Sequence, residues 1–266
     1  MFVPKTEKLE KLAIHHKCVI DQLDKLLSGS TNMYIDYANV RPWAAKLRWN
    51  IDLKRLKQFL DSFDNIDSVK FYMGTLAGDL RSEEEIEGIK KLNYHLRTKP
   101  VKIMNFSVDA RGISSLEDKS LLQQFIRSSL LRKYTAETVE YLNRRFVDMN
   151  HLGEFFIEDR KCNFDVEIGV DMLLDFERKD IDTFVLWSGD SDFHDPIKKL
   201  LENGKKVVLF ATARRVSREL NDLKQFGLII FDIQKIRNFV CWKREIDEDA
   251  KSPIKAKEPS CENSKP

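Results

Sequence analysis

Acidic residues follow two apolar runs that have the composition of buried strands. In "YIDYANV" the run stops at Asp36, with Asn39 three residues further on. In "TFVLWSGDSDF" a second run leads into Ser188, Asp190 and Asp192. Aspartate and serine at such places often cap the next helix, but capping uses one aspartate per helix and "GDSD" supplies two. Close carboxylates repel each other unless a cation or a proton lies between them, so the pattern favours a metal site.

A further carboxylate is predicted to face inward from the helix that follows "KCNF". At 100° per residue, Asp165 shares a face with apolar residues such as Met172, whereas Asp171 and Asp175 lie on the opposite side. A carboxylate on an apolar face is costly unless it is paired or bound to a metal. We therefore expect Asp165 in the site and Asp171 on a solvated face.

Such a carboxylate set predicts chemistry with a hard cation. Mg²⁺ and Mn²⁺ prefer oxygen ligands and keep several waters. One or two such ions support hydrolysis at phosphorus. The five histidines form no recognisable triad, and the four cysteines form no C-x-x-C pair, so neither nucleophilic catalysis by histidine nor a zinc site is predicted.

The elements that must position these acids alternate along the chain. Apolar strands are predicted over 32–36, 69–74, 101–106, 183–188, 206–211 and 228–233. Helices are predicted over 52–63, 82–96, 164–178, 193–201 and from 217. This alternation predicts an α/β fold with a mainly parallel sheet between two helical layers, which brings the carboxyl ends of the strands, and the acids there, to one edge.

Three segments depart from the alternation. Residues 1–30 predict an amphipathic helical extension outside the core, before a main domain over 31–240. Within that domain, about 107–150 predict a helical insertion, and "EFFIED" predicts a strand returning to the sheet. The charged stretch 241–266 predicts a disordered tail. The extension and the insertion are the candidate surfaces for a homodimer.

Composition limits the partners only weakly. The 266 residues carry 45 Lys and Arg against 43 Asp and Glu, a net charge of +2, so any surface for a polyanion must be local. No apolar stretch reaches the roughly 18 residues of a membrane span, and no signal-peptide core is present at the N-terminus. A soluble cytoplasmic protein with no membrane contact is expected.

Several blocks, in order, resemble those of a known family. "YIDYANV", "KCNFDVEIGVDML", "SGDSDFHDPIKKLLENGKKVVLF" and "SRELNDLKQF" are similar to the NYN domain, the LabA-like branch of the PIN-like nuclease superfamily. The resemblance spans about 31–232, the insertion excepted. It implies a Rossmann-like three-layer αβα fold and metal-dependent cleavage of phosphodiesters, generally in RNA.

The resemblance also assigns residues. The family's acidic metal site falls on Asp36, Asp165, Asp190 and Asp192. Asn39 matches the family's asparagine after the first strand, Ser188 the small polar residue opening the third block, and Asp171 a common acid that becomes a second-tier ligand. Cys162 and Asn163 stand where the family usually has a glycine and an apolar residue.

Basic residues close to these motifs are candidates for binding RNA. They are Arg41, Arg160, Lys161, Arg214 and Arg215. For each of them a solvated charged surface is an equally plausible reading. Trp43 and Trp49, interleaved with arginines, suit either stacking on a single strand or burial in the core.

Three functions remain open at this point. The first is a metal-dependent endoribonuclease acting on single-stranded RNA with Mg²⁺ or Mn²⁺. The second is a non-catalytic RNA-binding or regulatory scaffold that retains the acids for docking. A phosphatase of small phosphoesters is disfavoured because Ala38 occupies the position, two residues after Asp36, where such enzymes need a second acid.

Overall fold

The computed structural model describes residues 1–178, 181–212 and 215–247. The chain forms two compact units: Met1–Pro100 together with the segment from Cys162 onward, and Val101–Lys161. In chain order the strands are β1 (Thr31–Asp36), β2 (Ile66–Thr75), β3 (His95–Pro100), β4 (Lys102–Ser107), β5 (Phe156–Lys161), β6 (Thr183–Trp187), β7 (Lys206–Ala211) and β8 (Ile229–Asp232). The helices are α1 (Glu7–His15), α2 (Lys17–Leu26), α3 (Tyr37–Val40), α4 (Ala44–Leu47), α5 (Leu53–Leu60), α6 (Leu80–Lys90), α7 (Ser128–Leu131), α8 (Ala136–His151), α9 (Asp165–Arg178), α10 (His194–Glu202), α11 (Arg218–Asp222) and α12 (Arg237–Val240).

A six-stranded sheet is the centre of the first unit. Its strand order is β3-β2-β1-β6-β7-β8, and every neighbouring pair is parallel. The residues of β1 and β6 are all buried, as expected for central strands covered by helices on both faces. The predicted three-layer α/β fold with a parallel sheet is confirmed.

The order of the strands creates a switch point between β1 and β6. The chain progresses to one side from β1 to β3 and to the other side from β6 to β8. In open parallel sheets, ligands bind in the crevice beyond the carboxyl ends of the strands where the order reverses. Asp36 ends β1 and Ser188 follows β6 directly, so both predicted site segments meet at this crevice.

Three predictions about this edge of the sheet were wrong. The helix predicted over 82–96 ends at Lys90, and the edge strand of the sheet is β3, not 101–106. β3 is half exposed and polar, because an edge strand packs on only one neighbour, so it lacks the apolar run by which strands were recognised. The segment "VKIMNF" does form a strand, β4, but it pairs antiparallel with β5 outside the main sheet, and "EFFIED" does not return to that sheet.

The N-terminal segment belongs to the core of the first unit. The helix predicted over 5–27 is two helices, α1 and α2, which meet at His16. Their apolar residues Leu9, Leu12 and Leu23 are buried in the same cluster as the sheet residues. The prediction of an extension outside the core was therefore wrong, and the apolar face offered for dimerisation is filled within the chain.

The second unit has small clusters of its own. β4 and β5 pair over their whole length, and Phe146 of α8 packs against a small cluster that includes Val108, the residue after β4. Asn143, buried on α8, donates hydrogen bonds to the carbonyls of Leu116 and Asp118 at 2.7 and 2.6 Å. These two bonds tie the loop before α7 to α8 without a large apolar core.

The beginning of the predicted tail is ordered. Cys241 is buried, and Glu245 accepts hydrogen bonds from the backbone and side chain of Asn50 at 2.8 and 2.9 Å. Residues 248–266 of the predicted tail lie outside the described residues. Across the described part of the chain, no helix combines the length and apolarity needed to cross a membrane.

Candidate functional site

Asp36 is a buried carboxylate at the end of β1. Its side chain is 3% exposed, and β1 ends there because the chain turns into the short helix α3. One carboxylate oxygen accepts the backbone N–H of Asn39 at 3.2 Å, and the other accepts the hydroxyl of Ser188 at 3.1 Å. The amide side chain of Asn39 makes no hydrogen bond to another described residue. Asp36 thus caps α3 and also faces the loop after β6.

The loop after β6 carries the next two acids. Asp190 caps the 3₁₀ turn Ser191–Phe193 by accepting the N–H of Asp192 at 3.3 Å, so Asp190 is the capping residue in this loop. The N–H of Asp190 lies 3.4 Å from the hydroxyl of Ser188, which in turn donates to Asp36. Ser188 therefore connects the ends of β1 and β6. Asp192, the next residue but one after Asp190, is exposed.

Asp165, on α9, is close enough to Asp36 and Asp190 for their charges to interact. It is the first residue of that helix and is half-buried, as the helical projection predicts. The pKa of Asp165 is raised to about 6, mainly by burial and also by the negative charges of Asp190 and Asp192, while the charge of Lys99 opposes the rise. The pKa of Asp36 is likewise raised to about 6. Burial is the main cause and Asp165 and Asp190 contribute, whereas the hydrogen bonds from Asn39 and Ser188 oppose the rise.

The four site carboxylates lack ion-pair partners within the described part of the chain. Elsewhere on α9, the carboxylates of Glu167, Asp171 and Asp175 each form an ion pair with the sheet. Within the described residues, no such pair involves any of the site acids Asp36, Asp165, Asp190 and Asp192. Over the same part of the chain, no three His, Cys, Asp or Glu side chains stand close enough to form a ready-made metal cage. The site is an open group of repelling acids.

Asp171 has a different environment from the one predicted. Both of its oxygens lie 2.8 Å from Nη1 of Arg97, and one accepts the hydroxyl of Tyr72 at 2.7 Å. Arg97 and Tyr72 hold the pKa of Asp171 below its usual value, against the opposing effect of burial. Asp171 is therefore neither solvated nor free to act as a ligand, because it is paired to strands β2 and β3.

Lys99 is a site residue that sequence reasoning missed. Its ammonium pairs with Glu167 at 2.7 Å and lies over the ring of Phe164, next to Asp165. Its charge lowers the pKa of Asp165. The alternation of Arg97 and Lys99 in "HLRTKP" is a usable signal, since alternate residues of a strand share a face. The predicted helix, however, extends to 96 and the next predicted strand begins at 101, so no strand is predicted here.

The predicted RNA-binding residues have separate locations. Arg41, just after α3, pairs with Glu85 at 3.1 Å and remains largely exposed. Arg215 follows β7 at the same edge of the sheet as the acids. Arg160 and Lys161 lie on β5 of the second unit, next to Glu158 and Asp159, and Arg214 lies outside the described residues.

The two tryptophans are core residues and not stacking platforms. Trp43 is 2% exposed and Trp49 is 1% exposed, and the indole N–H of Trp49 donates to Gln234 at 2.9 Å. Of the two alternatives that the sequence leaves open, burial in the core is therefore the one observed.

Comparison with known proteins identifies the family of the chain. The chain is 26% identical to the low amplitude and bright protein LabA of Synechococcus elongatus over 149 residues, which is 56% of this chain and 73% of that protein. A solved structure of a protein of unknown function from Vibrio parahaemolyticus is similar at a TM-score of 0.46 and 16% identity, over 80% of this chain and 96% of that one. The family model described as "NYN domain" matches residues 30–228, from the start of β1 to the start of β8. The chain therefore belongs to the NYN domain family.

Proposed function

We propose that this protein is a metal-dependent endoribonuclease that hydrolyses phosphodiester bonds of single-stranded RNA at the acidic crevice between β1 and β6. The observation that carries the proposal is Asp36, a carboxylate buried to 3% exposure that faces two further acids and has no cationic partner among the described residues. A charge in that position is costly unless a ligand compensates it. Membership of the NYN family supports the assignment to nuclease-like chemistry on RNA.

The donor set fits Mg²⁺ or Mn²⁺. Asp36, Asp165, Asp190 and Asp192 would hold the ion, because all four offer hard oxygen ligands. The absence of a ready-made cage in the described residues is compatible with such ions, which keep several waters and are often held by one or two carboxylates plus substrate phosphate. When bound, a cation of this kind supplies positive charge at the phosphoryl oxygens and lowers the pKa of water.

The chain's own residues orient this site. The hydroxyl of Ser188 and the N–H of Asn39 fix the two oxygens of Asp36. Asp165 is held at the start of α9, where the helix dipole favours its ionised form. The side chain of Asn39 has no protein partner in the described residues and is available to hydrogen-bond a phosphate oxygen or a water. Arg41 and Arg215 supply positive charge at the same edge.

Cleavage of end-labelled RNA tests the proposal. We would incubate single-stranded RNA and matched DNA with the protein in Mn²⁺, Mg²⁺ or EDTA, beside Asp190→Asn and the control Asp195→Asn. Asp195 is an exposed carboxylate five residues away that pairs with its neighbour His194. Internal cuts in RNA that need the metal and disappear only in Asp190→Asn are the expected result. Cutting that persists in EDTA, or in Asp190→Asn, would contradict it.

The second candidate is a non-catalytic RNA-binding scaffold. The specific observation in its favour is that the described acids do not approach closely enough to form a three-ligand site. Binding of RNA without cutting under either divalent ion, equal in the wild type and in Asp190→Asn, would select it. A cytoplasmic location and a homodimer stay predictions from the sequence.

A further inference from the structure

A basic cavity of about 430 Å³ lies at the carboxyl ends of β7 and β8. Thr212, directly after β7, and Asp232, at the end of β8, form part of its wall. Trp43 also lines the cavity, as do three cationic residues: Lys46, Arg48 and Arg215. Its volume is in the range of small-molecule and nucleotide sites.

Three cations converge on this cavity without acidic partners. Among the described residues, neither Lys46, Arg48 nor Arg215 forms an ion pair, although Asp232 lies in the same wall. The Nε of Arg215 is buried and has no hydrogen-bond partner in the described part of the chain. Three cationic side chains without an ion pair in the described residues favour a ligand that brings anionic oxygens.

Arg48 strengthens the case for a ligand at the rim. Its backbone has a φ of 61°, in the left-handed region that a residue with a side chain seldom adopts. Strain of this kind is found preferentially at functional positions. The conformation ends α4 and leaves Arg48 exposed at the mouth of the cavity beside Lys46.

The cavity is physically joined to the acidic loop. A Cβ added to Gly189 would lie 1.7 Å from the carbonyl oxygen of Arg215 and 3.6 Å from the ring of Trp43. The N–H of Ser217 also donates to the carbonyl of Gly189 at 3.1 Å. Gly189 stands between Ser188 and Asp190, so the wall of the cavity and the acidic loop are in backbone contact.

We propose that this cavity binds a phosphate-bearing nucleotide of the RNA strand that flanks the nucleotide held at the acidic crevice. This inference rests on the proposed function. Strands lie about 4.8 Å apart, so the β7/β8 cavity is about 10 Å from the β1/β6 crevice along the sheet edge. The four acids repel a polyanion, and a basic cavity at this distance holds the strand against that repulsion.

Binding of RNA in EDTA tests this without requiring cleavage. The anisotropy of a labelled single-stranded oligouridylate would be measured across a salt series for the wild type and for Lys46→Gln/Arg48→Gln, whose residues are both exposed. The control is Lys199→Gln/Lys205→Gln, which removes the same charge towards the amino ends of the strands. In a second arm, uridine 5′-monophosphate is titrated in place of RNA.

We expect the Lys46→Gln/Arg48→Gln variant to bind RNA about tenfold more weakly than the control variant. The plot of the logarithm of the association constant against the logarithm of salt concentration has a negative slope. Its magnitude should decrease by about 1.4, or about 0.7 for each lost phosphate contact. Equal weakening in both variants, no weakening in either, or no RNA binding by the wild type would overturn the proposal. So would a variant that loses the monophosphate but not RNA, because the site would then serve a free nucleotide. If the wild type binds RNA and the variants show the expected binding differences, but no cleavage occurs, the proposed nuclease activity is refuted and the proposed binding site is not.

Discussion

Replacing Asp36 with asparagine should stabilise the fold while it removes a proposed metal ligand. Burial raises the pKa of Asp36 from 3.8 to about 6, with Asp165 and Asp190 adding to the rise. Such a rise corresponds to about 3 kcal/mol of unfavourable free energy in the ionised folded state, since each tenfold change in acid dissociation is about 1.4 kcal/mol. Asparagine carries no charge and keeps an oxygen for one of the two existing hydrogen bonds. Allowing for solvent screening, we expect a gain of about 2 kcal/mol, or about 4–8 °C in Tm.

The sign and the pH window follow from the direction of the shift. The folded carboxyl binds its proton more tightly than the unfolded one, so the wild type loses stability as pH rises from about 4 to about 6 and carries the full cost above that. The advantage of Asp36→Asn should therefore be complete at pH 8 and vanish near pH 4.

Denaturant unfolding in EDTA at pH 8 and at lower pH is the assay. Asp195→Asn, at a fully exposed acid, is the control and should shift stability by less than about 0.5 kcal/mol. Added Mn²⁺ should stabilise the wild type and leave Asp36→Asn unchanged, since only the former retains the ligand. A variant no more stable than the wild type at pH 8 without metal would refute the reasoning that Asp36 is an uncompensated charge.

Three further outcomes are expected. In thermal unfolding, Gly189→Ala should lower the free energy of unfolding by more than about 2 kcal/mol, because its new Cβ would lie 1.7 Å from a backbone carbonyl oxygen. The control Gly88→Ala, in open space on α6, should be neutral or stabilising. Equal effects of the two substitutions would contradict the close contact at Gly189. Asp171→Asn should lower stability by about 1 kcal/mol because its ion pair with Arg97 is weakened, and metal-dependent RNA cleavage should stay within a few-fold of wild type. Abolished cleavage with wild-type metal affinity and stability would count against a purely structural role. The apparent affinity for Mn²⁺, measured by titration at pH 5 to 8, should rise through about pH 6, as Asp36 and Asp165 ionise, and level off about one pH unit higher. An affinity independent of pH would argue against these two residues as ligands.

The candidate site could be predicted in large part because its signals are local. An apolar run that stops at Asp36, or at Ser188 before Asp190, already places those residues at the carboxyl end of a buried strand. The inward position of Asp165 followed from the period of one helix. In each case the deciding neighbours lie within a few residues along the chain.

Other features of the site arise only from tertiary contacts. Asp171 faces the same side of α9 as predicted, yet that side pairs with Arg97, which is 74 residues away in the chain. The projection of one helix cannot say whether solvent or a polar edge strand covers its acidic face. Lys99 was missed for the same reason, because the edge strand that carries it lacks an apolar pattern.

The sequence by itself determined the alternation of strands and helices, the acids at the ends of β1 and β6, and membership in a family of known fold. Only the tertiary structure decided that α1 and α2 complete the core, that β4 leaves the main sheet for β5, and that Gly189 and Arg215 meet. The physical reason is that hydrophobic period and strand-end chemistry are encoded within short stretches, whereas pairing and close contact depend on which distant segments the fold brings together.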